Sequence, residues 1–486
     1  MLRVTKIDEV WAHVECEPGQ CQEISDMLTF EVPGAKFMPS YRKRYWDGKI
    51  RLYDSRKSRI YAGLYSKMRQ FATDNGYDID IDERLEQTDE ISIAEAKAFI
   101  KTLNLPVEPR DYQIRAFCLA VRHRRAVLIS PTGSGKSLIA YLIARWYGLK
   151  TLIVVPTISL VMQMAKDFQD YGYDKEIHGI MGGVEKTSHT DITVSTWQSV
   201  YEQDKEFFEN YDVIIGDEAH LFKSKSLTSI MTKLTGTKYR FGMTGTLDGA
   251  EVHELVLEGL FGRIEKVVDT SKLIQNKNLA DLNIKILVLS HPKELRKPVL
   301  EGNYQNELDA IVSSEARNNF IRNLTLSLNG NTLLLYALVE KHGINLFEII
   351  KSKADHENVF FVSGGVEAQE RERVRQIVEK SSNSIIVASY GTFSTGINIR
   401  NLHNVIFASP TKSRIRTLQS IGRGLRTSDT KDSCTLFDIA DDFSTKAKKN
   451  YTLNHLMERV KMYSSEGFPY QLYNIKLRLT DERSLF

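Results

Sequence analysis

One stretch constrains this chain more than any other. Ala126–Ser130, an apolar run, is followed by Pro131-Thr132-Gly133-Ser134-Gly135-Lys136-Ser137 and then by Leu138-Ile139-Ala140-Tyr141-Leu142-Ile143-Ala144. The order strand, glycine-rich turn, helix is the context a phosphate-binding loop requires. Gly133 and Gly135 let backbone N–H groups wrap a phosphate without Cβ clashes, and the helix N-terminus adds its dipole. Thr132, Gly133, Ser134, Gly135, Lys136 and Ser137 are therefore candidate nucleotide-binding residues. Lys136 is placed for the β- and γ-phosphates, and the Ser137 hydroxyl for Mg²⁺. The general pattern has a glycine at the position held here by Ser130.

The second half of such a site is Asp217-Glu218-Ala219-His220, which ends the apolar run Val213-Ile214-Ile215 and lies 81 residues after Lys136. A carboxylate at the C-terminal edge of a strand beside a phosphate-binding loop is where Mg²⁺ coordination is expected. Asp217 is the candidate metal ligand, acting through water. Glu218 is the candidate base that orients and deprotonates the attacking water. Together the two motifs predict an ATP- and Mg²⁺-dependent enzyme.

Apolar β-branched runs place this site in a larger architecture. They are Ala126–Ser130, Leu152–Pro156, Ile192–Thr196, Val213–Asp217 and Arg240–Gly245, and then Thr332–Ala337, Val359–Ser363, Ile385–Ser389, Val405–Ser409 and Cys434–Ile439. Runs apolar on both faces suit buried parallel strands with helical crossovers. The fold class expected is α/β, with two tandem parallel sheets. The polar stretch of about 265–300, with Pro292 and Pro298, reads as a linker between them. Residues 445–486 lack strand alternation and read as a short helical appendage. The expected divisions are 1–95, 96–275, 276–444 and 445–486.

Charge divides the first hundred residues. Residues 36–69 hold eleven Lys/Arg against Asp47 and Asp54, with seven aromatics interleaved. Residues 74–95 hold nine Asp/Glu against Arg84, and read as an acidic helix. Cations with aromatics can neutralise phosphates and stack or wedge against bases. Arg42, Lys43, Arg44, Tyr45 and Trp46 form the densest spot, with Arg56, Lys57 and Arg59 further on. Thr157, Thr196 and Thr392 are further candidates for the nucleic-acid backbone, because Thr hydroxyls and helix N-termini suit phosphates. The bland reading of each is a helix cap.

The motifs resemble those of the superfamily 2 helicases over about 110–440. Ser130–Ser137 is similar to motif I of that family, in which Ser or Ala often replaces the first glycine, and Asp217–His220 to motif II. Thr244-Gly245-Thr246 resembles motif III, which couples hydrolysis to strand movement. Arg110-Asp111-Tyr112-Gln113 resembles the segment whose aromatic and Gln read adenine, which makes Tyr112 and Gln113 candidate nucleotide contacts. Val154–Thr157 resembles motif Ia, and Ser195-Thr196 the next strand-contacting motif. Gly396-Ile397-Asn398-Ile399 resembles motif V, with Asn398 where Asp is usual and Arg400 where Pro is common. Gln419-Ser420-Ile421-Gly422-Arg423-Gly424-Leu425-Arg426 has the form of motif VI. The resemblance implies two RecA-like domains, Gln419 as γ-phosphate sensor, and coupling roles for Thr244, Thr246 and Gly396. A guanidinium from another domain can neutralise charge on a γ-phosphate when the domains close. Arg423 and Arg426 are the candidates, and the resemblance favours Arg426.

Over its whole length the chain is similar to the recombination and repair helicases of T4-like phages. That implies a DNA helicase acting on branched and single-stranded DNA: forks, Holliday junctions, D-loops and R-loops with their RNA–DNA hybrids. An RNA helicase, or a nucleic-acid-binding protein without ATPase activity, remains the alternative. A restriction-enzyme motor lacks support, since no compact Asp…Glu-x-Lys cluster lies outside the motor motifs. Cys16, Cys21, Cys118 and Cys434 are too few and scattered for a disulfide scaffold. No apolar run reaches the length of a membrane span, and the N-terminus, with Asp8 and Glu9, lacks a signal-peptide core. A cytoplasmic monomer, in the host cytoplasm if phage-encoded and without a membrane partner, is expected.

Overall fold

The computed structural model describes residues 1–477 apart from 33, 183–185, 187–188, 356, 393–398 and 427–430. The chain divides into two compact units, Met1–Ser130 with Gly135–Val268, and Asp269–Phe486 with Pro131–Ser134. Each holds a seven-stranded, all-parallel sheet. In the first, the strand order is Ile177–Ile180, Ile192–Thr196, Thr151–Val155, Val213–Asp217, Tyr239–Thr244, Arg125–Ile129, Arg263–Lys266. In the second it is Val359–Val362, Ile385–Ser389, Thr332–Tyr336, Asn404–Phe407, Ser433–Asp442, Asp281–Ser290, Tyr470–Lys476. All ten apolar runs of the sequence are strands. They are buried on both faces, which is why they carry no alternation. The helix Lys136–Tyr147 is buried from Leu138 through Ala144, as a helix apolar all round must be.

Two stretches depart from expectation. The supposed linker contains the ten-residue strand Asp281–Ser290, which pairs with Ser433–Asp442 on one side and Tyr470–Lys476 on the other. The terminal appendage holds the helix Tyr451–Ser465, and a strand besides. That helix is bolted to the sheet. Arg459 donates to both oxygens of Asp438 at 2.8 and 2.7 Å and to the Thr411 carbonyl at 2.6 Å, while the Tyr463 hydroxyl donates to Asp438 at 2.8 Å. The buried Glu307 carboxylate accepts from the Tyr451 and Thr452 amides at 2.8 and 2.7 Å, so it caps the same helix from another element.

The N-terminal residues build their own five-stranded sheet, Tyr53–Asp54, Arg59–Tyr61, Trp11–Glu15, Leu2–Lys6, Ile79–Ile81. Its apolar face is continuous with the core under the first large sheet, from Leu2 and Val4 through to Leu260 and Phe261. Contact is close at Gly63, where a Cβ would collide with the Glu258 carbonyl, and at Gly259, where one would lie 2.8 Å from Tyr61 Cβ. Arg125 donates to the Glu9 carbonyl at 3.1 Å, and the Glu9 amide donates to the Thr235 carbonyl at 3.0 Å.

The acidic block is not one helix. It starts in the last turn of the helix Tyr65–Asn75, forms the strand Ile79–Ile81 and the turn Glu83–Leu85, and its end enters the helix Ile93–Thr102. Four of its nine carboxylates are in ion pairs: Asp80 with Arg3, Asp82 with Arg84, Glu86 with Arg69 and Asp89 with Arg124. Cys16 and Cys21 are joined by a disulfide that closes a local loop; the fold otherwise rests on burial. Among the described residues no helix is long and apolar enough to cross a membrane.

Candidate nucleotide and nucleic-acid sites

Gly133 and Gly135 both sit at positive φ, 84° and 78°, and Gly135 caps the buried helix that follows. A side chain at Gly135 would collide with the Gln113 carboxamide, so Gln113 packs directly against the turn. The Gln113 Oε1 accepts from the Arg110 amide at 2.8 Å, and Arg110 donates to the Tyr112 hydroxyl at 3.1 Å. Both Tyr112 and Gln113 are buried at the start of the helix Asp111–His123. The Lys136 ammonium donates to the Ser130 carbonyl at 3.3 Å, and Ser134, fully buried, donates its amide to the Pro131 carbonyl at 3.2 Å. Thr132 is half-buried on the same turn.

Asp217 ends its strand, and Glu218 follows at φ 50°, in the left-handed region. A glutamate held there is strained, as residues at functional sites often are. Burial and the Glu218 carboxylate raise the Asp217 pKa, against the pull of Lys136. An acid pressed upward by a like charge and lack of water is a position that a cation would relieve. His220, buried, places Nδ1 2.9 Å from the Thr244 hydroxyl and 3.3 Å from Glu218 Oε2, and Thr244 donates to the Thr246 carbonyl at 3.0 Å. The candidate base Glu218 and the segment Thr244–Thr246 are therefore joined through one imidazole.

In the second unit, Gln419 and Arg423 share one face of the helix Arg414–Gly424 by their four-residue spacing, and Arg426 follows one residue past its C-cap. Thr392 is buried, with its hydroxyl 2.8 Å from Ser389 Oγ. Gly396 and the rest of the motif V candidates at 397–398 lie outside the described residues. Of the other threonines, Thr157 caps the helix Ile158–Asp170 by accepting from the Leu160 amide at 3.4 Å, and Thr196 is buried, its hydroxyl 2.8 Å from Ser199 Oγ. Thr157 keeps partial exposure; the other two hydroxyls are engaged inside the fold.

The basic block splits into two hairpins. The first is an arm between the paired strands Thr29–Glu31 and Lys49–Arg51. It carries Arg42, Lys43, Arg44 and Tyr45, all exposed, and a half-buried Trp46. The second is the turn between Tyr53–Asp54 and Arg59–Tyr61, with Arg56 and Lys57 exposed. Arg59 is committed there: it pairs with Asp54 at 3.3 Å and lies 3.8 Å over the Trp11 ring. Arg51, Lys67 and Arg69 are also paired, with Asp47, Glu258 and Glu86. Lys36, Arg42, Lys43, Arg44 and Lys49 on the arm have no ion pair among the described residues.

Family models match residues 2–82 (DNA helicase UvsW, N-terminal), 106–249 (type III restriction enzyme, res subunit) and 315–428 (helicase conserved C-terminal domain). The ATP-dependent DNA helicase uvsW of enterobacteria phage T4 is 35% identical over 492 residues, covering 96% of this chain and 97% of that protein. The chain belongs to the UvsW helicase family. The crystal structure of T4 UvsW superposes with a TM-score of 0.52 at 33% identity, covering 98% of this chain and all of that one. The DNA 3′-5′ translocase XPB2 of Sulfurisphaera tokodaii is 25% identical, over 72% of this chain and 84% of its own. As a UvsW-family member the chain is a superfamily 2 helicase and ATP hydrolase, built on two RecA-like parallel sheets.

The fold of this UvsW relative adds residues that motif reading did not single out. The Tyr171 hydroxyl lies 2.9 Å from the Ser137 hydroxyl. Lys223, just past the Asp-Glu-Ala-His segment, meets Asp248, which follows the Thr-Gly-Thr segment, and His253 Nδ1 lies 2.7 Å from the same carboxylate. The buried Lys431 donates to the Gly424 carbonyl and, at 3.1 Å, to that of Arg426, so it caps the end of the motif VI helix. Tyr171, Lys223, Asp248, His253 and Lys431 all stand outside the motifs, and Tyr171 reaches Ser137 across 34 residues of chain.

Proposed function

We propose that the chain is an ATP-driven DNA motor that remodels branched molecules: forks, Holliday junctions, D-loops and R-loops. The observation that carries this is the union, in one compact unit, of the Lys136/Asp217/Glu218 constellation with the cationic arm at 35–48. The T4 relative, over nearly its whole length, is called an ATP-dependent DNA helicase, which supports DNA over RNA. Within this reading residues 1–95 hold the nucleic-acid-binding part, 96–275 and 276–444 the two motor domains, and 445–486 the appendage. The protein acts as a monomer in the cytoplasm.

The donor set fits Mg²⁺–ATP: a Ser hydroxyl and a carboxylate of raised pKa, with a lysine beside them. Mg²⁺ supplies charge neutralisation on the phosphates when bound. Lys136 leaves the Ser130 carbonyl to hold the β- and γ-phosphates, Ser137 and Asp217 hold the metal, and Tyr112 and Gln113 face the adenine. Glu218 takes the proton of the attacking water. Its strained backbone and the contact to His220 hold the carboxylate in position, and His220 passes the state of the site to Thr244 and Thr246. Gln419, Arg423 and Arg426 act on the γ-phosphate, with Arg426 as the finger.

ATP turnover measured side by side with single-stranded DNA, duplex, fork, four-way junction and RNA tests the reading. Strongest stimulation by fork or four-way DNA is expected. Equal or greater stimulation by RNA, or none by any polynucleotide, would overturn it.

A further inference from the structure

The arm between Glu31 and Lys49 is built to hold a shape. The Val32 amide donates to the Gly48 carbonyl at 2.8 Å, the Tyr45 amide to the Ser40 carbonyl at 2.9 Å, and the Trp46 indole to the Lys49 carbonyl at 2.8 Å. Gly48, at φ 80°, is pressed so closely that a Cβ would lie 3.0 Å from the Tyr41 ring and 3.1 Å from Ala35. Yet this pinned loop leaves Phe37 67% and Tyr45 83% exposed. Large rings left in water forgo roughly 1.5–3 kcal/mol each of burial, and an exposed aromatic cluster on an ordered loop marks a binding surface.

Beside these rings is an open cleft of about 620 Å³, whose walls include Tyr41, Tyr45 and Trp46 alternating with Lys36, Arg42 and Arg44. Its remaining wall residue, Asp47, is neutralised by Arg51. Rings for a base face and guanidiniums for the adjoining phosphates are the chemistry of a nucleotide, and the volume exceeds what one needs. Bases within a duplex present no free face to such a cleft; only a base already out of the stack can enter.

We infer that this cleft captures a single unpaired nucleotide, its base stacked on Tyr45 and its flanking phosphates on Arg42 and Arg44, and so distinguishes a branch point from intact duplex. The inference rests on the arm's being a nucleic-acid interface, and the test separates the two. The full-length protein is titrated into a duplex, and into the same duplex opened to a fork with 2-aminopurine at the first unpaired position, at several salt concentrations. The parent is expected to prefer the fork and to quench 2-aminopurine. Tyr45→Ala should lower fork affinity by roughly 5- to 100-fold, abolish the quench, and leave duplex affinity and salt slope unchanged. Tyr45→Phe should restore both. Arg42→Gln with Arg44→Gln should lower the salt slope on both substrates. If Tyr45→Ala keeps the fork preference and the quench, stacking in the cleft is refuted while the arm keeps its phosphate role. If the arginine pair leaves the salt slope unchanged, the arm reading itself is overturned.

Discussion

Neutralising Arg42, Lys43 and Arg44 to Gln together probes the electrostatic side of the arm. The structure separates two classes of cation within the basic block. Arg51, Arg59, Lys67 and Arg69 are each paired with a carboxylate of the protein. The three tip residues are exposed and carry no ion pair among the described residues. Each phosphate neutralised on B-DNA contributes about −0.9 to the slope of log K against log salt. Losing three contacts should therefore flatten the slope by about 2.7. Between 50 and 200 mM salt the variant should lose about 40-fold less affinity than the parent does. Fluorescence anisotropy with a short duplex across that range measures it. Neutralising Lys67 and Arg69 is the control: their charge already serves Glu258 and Glu86, so the slope should change far less. Parallel slopes for the tip variant and the parent, or an equal effect from the paired cations, would refute the reasoning.

Lys136→Ala and Glu218→Gln should each lower DNA-stimulated ATP turnover by roughly 10²- to 10⁴-fold while the far-UV spectrum is kept; turnover near the parent's would remove these residues from catalysis. Arg459→Met should destabilise the second unit by about 3–5 kcal/mol in urea unfolding, because Asp438 is left buried and unpaired, whereas Arg459→Met with Asp438→Leu should recover most of that loss. An additive double variant would deny the coupling. His342, buried between Ser409 Oγ and Asn318 Oδ1, has its pKa pushed down to about 3 by burial and the nearby Arg317. Its folded pKa lies below the unfolded one, so its contribution is complete above about pH 6.5 and is lost as pH falls from there toward 3, at up to about 1.4 kcal/mol per pH unit. Replacement by Gln should flatten urea stability against pH in that window, and an unchanged profile would contradict it.

What could be seen from the sequence follows from where each signal is stored. A buried parallel strand writes itself as a local apolar run, and so the ten runs are ten strands. Asp281–Ser290 hides because its first half alternates, with Leu282 and Ile284 inward and Asp281 and Asn283 outward, next to polar residues. Tyr470–Lys476 hides more completely: all seven positions are exposed or half-exposed, and it is a strand because Asp281–Ser290 offers it a backbone edge. The same division holds in the site. The candidates Lys136, Ser137, Asp217 and Glu218 stand out in the sequence because phosphate and metal chemistry would demand fixed types at adjacent positions. Tyr171 on Ser137, Lys431 on the motif VI helix, and Asp248 between Lys223 and His253 are tertiary partners, whose spacing carries no chemical rule. In the acidic block, negative charge density pointed to a solvated helix, but Asp80, Glu86 and Asp89 pair with Arg3, Arg69 and Arg124, partners that only the folded chain brings together, while Asp82 pairs locally with Arg84.

The attachment of the N-terminal sheet decides how the arm can work. A tethered module would sample many positions, and its grip on DNA would report effective concentration alone. Here the core runs unbroken from Leu2 to Phe261, and Gly63 and Gly259 let the two backbones meet where a methyl group would not fit. The arm is thus held at a fixed offset from the helix capped by Thr157 and from the phosphate-binding turn at Gly135. Any movement of this unit during turnover carries the arm with it rigidly. If Tyr45 holds an unpaired nucleotide as proposed, that nucleotide would be displaced together with this unit, and branch recognition would become a matter of geometry. On that proposal a junction would be engaged when its unpaired base falls at that offset from the strand the motor holds. A junction with a different offset would bind less well than one that matches it.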